Sequence, residues 1–543
     1  MQIGVEDELH HLRSKATELL LKEDWKGYID LYTHLISLCG DGGGGGDDGG
    51  GGGDGGAAAA AAAAKVHKTL CVALSNRAEA RARLRDLSGA LEDLDRLLQL
   101  DPSHLKTLVS KGKILLDLGR YSRASECFRR ALSAHGAGGA ESLRALLDRA
   151  RRLEVRSRTG SLDLSDWILN RCVGNPPDLA EFVGPIEIRR SGLGGRGLFV
   201  TKSVESGTPL IVTKAVVIGR GILPEASNTA DGSGNGARMV MWKDFVDRII
   251  SVAERCPKTL ALIYALSTGE DEDDEQRSKL TIPSMNLFNP DTEDETFAVR
   301  NNELDVERIL KVLDVNCLTE NSVSAKVWGK NSGYSGVGLW VLPSFLNHCC
   351  APSVRRLHIN DWVVIHACRD IKAGEEITSA YFDVLSPLDK RREMAKRWGF
   401  ECECERCRFE AEKAPFLKEV EGMLRGVDVG CVIVRLEQGM RKWGVKEKGR
   451  GFIRASFWAF YESVYGSEKL LRKWKGKVPK ESEVGESIGE SVGGDERVLK
   501  MVMKGLKRGG GVGIEVERAL RLGRGTYGKV MKRQAMRAVV EQI

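Results

Sequence analysis

The sequence predicts a multidomain α + β chain. Helical repeats come first, then a β-rich domain with a helical insertion and a metal-binding cysteine segment, then helices to the end. Three observations carry that reading. At 543 residues the chain exceeds what one hydrophobic core sustains, and a typical size of about 100–200 residues per domain implies several domains. The apolar pattern switches twice, from helical period to short β-branched runs at Pro185, and back to helical period after Cys407. The cysteines cluster, with Cys349 beside Cys350 and with Cys402, Cys404 and Cys407 close together.

Bulk composition is that of a soluble globular protein, 42% apolar and 29% charged, with a net charge of +6. The charge is uneven: residues 408–543 hold 29 Lys/Arg against 18 Asp/Glu, which leaves the rest slightly acidic. A solvated helical surface is the plainer reading of that basic region; contact with chromatin or nucleic acid is the alternative. The opening "MQIGVEDELHHLRSK" has early acidic residues and lacks the apolar segment of a secretory signal. No run reaches the length of about eighteen apolar residues that a membrane span needs. The expectation is therefore an unsecreted protein of the nucleus or cytoplasm with no membrane contact. Its thirteen cysteines read as reduced thiols or metal ligands rather than disulfides.

Residues 1–40 hold a degenerate helix pair, "LRSKATELLLKEDWKGYIDLYTHLI", with Ala16, Trp25 and Tyr28 at packing positions. Residues 41–64 are low-complexity: the Gly/Asp part cannot bury a core, and the alanine run after it continues as helix. Over 65–155 a helical pattern repeats at a shift of 34 residues, which sets Ala78 on Gly112, Ala90 on Ala124, Leu94 on Phe128 and Leu98 on Leu132. Small residues at such places let two helices approach closely. Spacing and pattern resemble tetratricopeptide repeats, whose stacked helix pairs present a surface to a protein partner. A generic helical bundle is the alternative.

Over 183–382, "PIEIRR", "GRGLFVTKSV", "TPLIVTKAVVIG" and "WVVIHACRDI" read as strands between glycine turns, around a helical insertion at about 220–318 with acidic loops. "GLGGRG" at 192–197 has the spacing of a dinucleotide-binding turn, but that motif needs a helix to follow and an acidic residue further on. A strand pattern follows instead, and no Asp or Glu occurs between Glu205 and Glu225. The glycines mark a hairpin turn where backbone comes close to something. Residues 383–410 carry C-x-C-x-x-C, one thiolate short of a structural zinc shell. Cys350, closing "LPSFLNHCC", is the candidate fourth ligand. Residues 411–543 return to helical period, interrupted by a polar Ser/Glu/Gly stretch near 481–495.

Four motifs in order, "GRGLF", "FLNHCC", "GEEITSAY" and "GFECECERC", resemble those of SET-domain methyltransferases with a cysteine-rich post-SET segment. The short C-x-C-x-x-C and the long insertion are most similar to the SMYD type. N-terminal repeats without a MYND finger resemble the TPR–SET proteins. The resemblance covers roughly 183–410 and the repeats, not the tail. It implies an S-adenosylmethionine-dependent protein-lysine N-methyltransferase with a histone or other protein substrate. It also implies a structural Zn²⁺ on Cys350, Cys402, Cys404 and Cys407, clasping the post-SET segment rather than taking part in the reaction.

By the same resemblance Gly195, Arg196 and Gly197 run along the cofactor, while Asn347 and His348 hold its amino-acid and adenine ends. Asn321 is a further cofactor contact and Phe400 stacks on adenine. Tyr381 touches the cofactor and sets its hydroxyl at the point of methyl transfer. Three positions depart from the pattern. Cys349 stands where Ser is usual. Ser353 stands where Asn is common, which puts a local turn bond in question. Trp398 replaces a second channel tyrosine. The rival reading is a catalytically weak or inactive adaptor, with repeats that bind a partner and a zinc-stapled SET scaffold.

Overall fold

In the computed structural model the described residues are Leu12, 14–40, 55–135, 140–222, 233–269, 281–292, 304–320, 334–422, 428–509 and 514–542. The chain divides into two compact units. One comprises residues 1–155, 249–261 and 289–305; the other comprises 156–248, 262–288 and 306–543.

The first unit is helical: α1 (Trp25–Gly40), α2 (Gly55–Arg83), α3 (Leu87–Leu100), α4 (Leu105–Asp117), α5 (Tyr121–His135) and α6 (Glu141–Thr159). The alanine run falls within α2, as its high helix propensity favours; the Gly/Asp stretch at 41–54 lies outside the described residues. Short turns at 84–86, 101–104 and 118–120 fold successive helices back on one another. The repeat shift is visible in the packing. Ala78, Ala90, Leu94, Ala124 and Phe128 share one buried cluster, and Leu98 lies in the next with Leu132 against it. At Gly112 a Cβ would lie 2.6 Å from the Phe128 ring, so α4 and α5 meet only because that side chain is missing. Ala16 and Tyr28 are buried with Leu74 and Leu97, and Trp25 packs against them. The buried Asp93 is paired, receiving bonds of 2.9 and 2.6 Å from Arg77 and 3.0 Å from Arg81.

The second unit holds three sheets. The first, in the order β1-β4-β10-β9, uses Phe182–Val183, Pro209–Lys214, Trp362–Ala367 and Val354–Ile359. The second, β2-β3-β11-β8, uses Ile186–Arg190, Arg196–Val200, Glu376–Ser379 and Asn347–His348. The third, β5-β7-β6, uses Ile218–Ile222, Tyr334–Gly338 and Leu318–Thr319. Helices Ser233–Arg255, Pro257–Tyr264 and Val306–Asn316 fall between β5 and β6, while the acidic stretches 270–280 and 293–303 lie outside the described residues.

One pairing positions the functional residues. Strand β8 lies parallel to β11, with Asn347 opposite Thr378 and His348 opposite Ser379. The chain beyond β8 stays alongside: Cys349 N–H donates to Ser379 O at 3.0 Å, and Ser353 N–H donates to Thr378 O at 3.0 Å. Ser353 is held across the sheet rather than in a local turn, its hydroxyl accepting from Thr378 N–H at 2.9 Å.

After β11 the helices are α7 (Leu388–Arg397) and α8 (Glu405–Glu412), which flank and include the cysteines, then α9 (Val429–Lys442), α10 (Glu447–Ser456), α11 (Glu481–Val492), α12 (Glu496–Gly509), α13 (Ile514–Tyr527) and α14 (Arg533–Gln542) among others. Helices α9–α14 share one buried core with Leu357, Ile359 and Val364 of the first sheet, whereas Leu388 of α7 packs with Cys350 and Cys407. The expected polar interruption near 481–495 is corrected: α11 is a half-buried helix. Its glycines and serines are contact surface. A Cβ at Gly485 or Gly489 would overlap Val502 or Leu522, and Ser491 Oγ donates to Lys448 O at 3.0 Å. Close packing outweighs the weak helix propensity of those residues. Among the described residues no helix is long and apolar enough to cross a membrane.

Gly112→Leu is expected to overpack the α4–α5 contact and destabilise the repeat unit by about 1–3 kcal/mol. The measurement is a lower midpoint of thermal unfolding, with helical content at low temperature unchanged.

Candidate active site and metal centre

The sulfur atoms of Cys350, Cys402, Cys404 and Cys407 lie within 4.8 Å of one another. Thiolates bound at about 2.3 Å to one tetrahedral zinc stand about 3.8 Å apart. Cys350 is 3.8 Å from Cys402 and 3.5 Å from Cys407, so the donor set suits that ion. Crowding splits the thiols. Hydrogen bonds with Cys402 and Cys404 push Cys350 up, and those with Cys350 and its neighbours push Cys407 up. Hydrogen bonding with Cys350 pushes Cys402 down. A divalent cation would hold all four as thiolates. Cys349 stands outside the group of four, hydrogen-bonded with Cys404 and with the backbone of Ala351.

The cluster is tied down by a buried ionic triad. Glu410, at 0% exposure, accepts from Arg406 Nε at 2.7 Å and from the Arg391 guanidinium. Arg406 also donates to the carbonyls of Cys350 (3.1 Å) and Val384 (2.6 Å) and to Ser456 Oγ (2.9 Å). Arg391 donates to Cys407 Sγ at 3.3 Å and to Ser386 O at 3.0 Å. A zinc ion with four thiolates carries a net double negative charge, and the Arg391 guanidinium beside Cys407 offsets part of it.

Around β8 and β11 the remaining residues converge. Asn347 Nδ2 donates to Arg196 O at 3.0 Å and to Glu376 Oε1 at 2.8 Å. Glu376 also accepts from Ser191 Oγ, which caps the hairpin turn by accepting from Leu193 N–H at 2.9 Å. This explains Gly197: a Cβ there would overlap the Glu376 carboxylate. Gly195 sits at φ +59°, and a Cβ on it would meet nothing within 4 Å, so the turn faces open space. Arg196 turns its side chain away, donating to Thr281 O at 3.2 Å and lying 5.3 Å over the Phe345 ring.

His348 Nδ1 accepts from Tyr381 N–H at 3.0 Å. The ring proton is thereby assigned to Nε2, which faces Cys350 Sγ at 3.3 Å and donates to it. Ring centroids of His348 lie 5.3 Å from Tyr381, 4.2 Å from Phe382 and 5.4 Å from Phe400. Trp398, 46% exposed, stands 5.2 Å from Tyr381. The Tyr381 hydroxyl donates to Leu346 O at 2.8 Å, and burial pushes it up to about 12. A cavity of about 520 Å³ opens beside it, lined by Tyr381, Phe382, Arg356, Asp383, Glu496 and Arg497 among others.

Gly195, Gly197, Asn347, His348, Tyr381 and Phe400 are thus brought into one region, with Arg196 contributing its carbonyl. Asn321 lies outside the described residues. Sequence reasoning passed over Glu376, Phe382 and the Arg391–Glu410–Arg406 triad. Glu376 had a signal, its place inside "GEEITSAY". Arg406 and Glu410 had the i, i+4 spacing of a helical ion pair, which is too common to single out.

Residues 195–382 match the SET domain family. The chain is 24% identical over 365 residues to a methyltransferase of Gibberella zeae, covering 62% of this chain and 46% of that protein. It is 35% identical over 101 residues to the human histone-lysine N-methyltransferase SMYD3, covering 17% of this chain and 24% of that protein. The chain thus spans less than half the length of these curated relatives. The TPR2B domain of yeast Sti1, solved as an Hsp70 complex, overlays on 26% of this chain and 95% of its own at 18% identity, with a TM-score of 0.20. An overlay that loose carries no weight, and the repeat reading rests on the packing of α2–α5.

Metal analysis of the purified protein should find one zinc at this cluster. Cys404→Ser should lose it and render residues 400–410 protease-sensitive, whereas Cys349→Ser should retain it. Glu410→Ala, which leaves two buried guanidinium groups without their carboxylate, should cost about 3–5 kcal/mol of stability by chemical denaturation.

Proposed function

We propose that this SMYD-like SET protein transfers a methyl group from S-adenosylmethionine to the side-chain amine of a lysine in a protein substrate. The observation that supports it most is the convergence of His348, Tyr381 and Phe400 on one aromatic corner beside an open cavity, with Asn347 next in the chain bonded to the Arg196 carbonyl. When bound, S-adenosylmethionine supplies an electrophilic methyl group on a sulfonium. The residues suit it: the Gly194–Gly195 turn faces open space, and aromatic faces favour a cationic group. Gly195, Gly197, Asn347, His348 and Phe400 would hold it. Zinc would sit on the four cysteines and serve structure alone.

The chain's own residues would act on the incoming lysine. Its amine, with an ordinary pKa of about 10.4, must lose a proton before it can attack. Tyr381, Trp398 and Phe400 offer apolar surface that desolvates the amine and favours the neutral form. The Tyr381 hydroxyl has its proton engaged with Leu346 O, so its oxygen lone pairs remain to accept from the amine and orient it. Trp398 presents an indole N–H and no acceptor oxygen, so it narrows the channel without anchoring a neutral amine. This favours a slow enzyme that adds a single methyl. The helical repeats we assign to holding the protein partner or substrate.

Labelled cofactor incubated with the protein and a cell extract should mark discrete protein bands, and calorimetry should detect cofactor binding. Binding without transfer to any protein would favour the adaptor reading. Tyr381→Phe should keep cofactor affinity and lower the transfer rate by about 10²–10³. Because burial holds Tyr381 near 12, the wild-type rate should climb with pH as the substrate amine deprotonates, with no downturn from this group below pH 10. Trp398→Tyr should raise turnover or shift the product to higher methylation by mass spectrometry.

A further inference from the structure

The cavity beside Tyr381 has a charge pattern that the transfer of a methyl group does not require. Arg497 is neutralised there, donating to Asp383 at 3.0 and 2.6 Å and to Asp495 at 3.1 Å. Arg355, on β9, donates to the carbonyls of Gly494 (2.9 Å) and Val492 (2.8 Å), bonds that hold its guanidinium without cancelling its charge. The guanidinium of its neighbour Arg356, partly buried in the same wall, has no hydrogen bond or ion pair among the described residues. It lines the same cavity as Tyr381, and burial presses its pKa below the usual guanidinium value. A guanidinium partly withdrawn from water without a counter-ion is left under-satisfied, and its planar fork matches a carboxylate. Glu496 lines the same cavity with the opposite sign. The lining is therefore dipolar, and it complements a peptide that carries a cation and an anion close together.

We propose that Arg356 is a specificity-determining residue that binds a carboxylate of the substrate, so that the cavity selects lysines with an Asp or Glu within two residues. The proposal rests on the reading of this cavity as the site where a substrate lysine enters. An ordinary lysine channel needs apolar walls; a guanidinium beside it repels unflanked or basic-flanked lysines and is satisfied only by an acidic neighbour. A charge-assisted bond of this kind is worth about 10- to 100-fold in affinity.

The test is binding, which needs no turnover. Nine-residue fluorescent peptides with a central Lys are flanked at the two positions on either side by Ala, by Glu or by Arg. They are titrated by anisotropy against the full-length wild type, Arg356→Leu and Arg356→Glu. Metal content and thermal melting establish that each variant is folded. Wild type should bind the Glu-flanked peptide about 10- to 100-fold more tightly than the Ala-flanked one, and the Arg-flanked peptide least. Arg356→Leu should erase the Glu preference, and Arg356→Glu should move it to the Arg-flanked peptide. Equal affinity of wild type for Glu- and Ala-flanked peptides, or a Glu preference that survives in Arg356→Leu, overturns the proposal. If the selectivity is as stated but no peptide gains a methyl group, the carboxylate site stands and the methyltransferase reading falls.

Discussion

One carboxylate, that of Glu410, holds together everything around the cysteine cluster. It lies between Arg391 and Arg406 with no solvent contact, and through them it reaches Cys407, the carbonyls of Cys350 and Val384, and Ser456 of α10. The two guanidinium groups could not be buried without it, and it could not be buried without them. The network therefore couples the post-SET helix, the end of β8, the segment after Tyr381 and the C-terminal helices. Zinc would close the same knot from the sulfur side. The aromatic corner is positioned by this knot, because His348 is bonded to Cys350 and Tyr381 is bonded to His348.

Much of this was legible in the residues, because motif segments carry their own local chemistry. "GFECECERC" and "NHCC" announce thiolate ligands whatever the fold around them, and "GRG" announces a turn that excludes side chains. The repeat shift was equally readable, since it compares the chain with itself. The triad was not legible: its members are 4 and 15 positions apart, on two helices, and nothing local separates a buried Arg–Glu pair from the many that are solvated. Helix α11 was misread for a related reason. Gly485, Gly489 and Ser491 look like loop residues until their neighbours are known, and only then does their smallness become a packing property.

The basic C-terminal region shows the same limit. Its lysine and arginine count suggested a surface, yet Arg454 is buried between Glu437 and Glu483, with Tyr461 bonded to the same Glu437. Arg497 is held by Asp383 and Asp495. Part of the positive charge is thus internal wiring, and the net charge of the region overstates what it offers to solvent.

The parallel pairing of β8 with β11 has a consequence for how the protein comes into being. Two residues of one strand must find two of another across some thirty intervening positions, and the ladder they form is too short to persist alone. Its support comes from residues synthesised later: Glu410, then Ser456, then the carbonyls of Val492 and Gly494 that hold Arg355 of β9. A nascent chain that has emerged only as far as Tyr381 carries "GRGLF", "FLNHCC" and "GEEITSAY" but still lacks Phe400 and three of the four clustered cysteines. The ribosome must release nearly the whole polypeptide before the aromatic corner can form. The C-terminal helices thus complete the support of strands that precede them by a hundred residues or more.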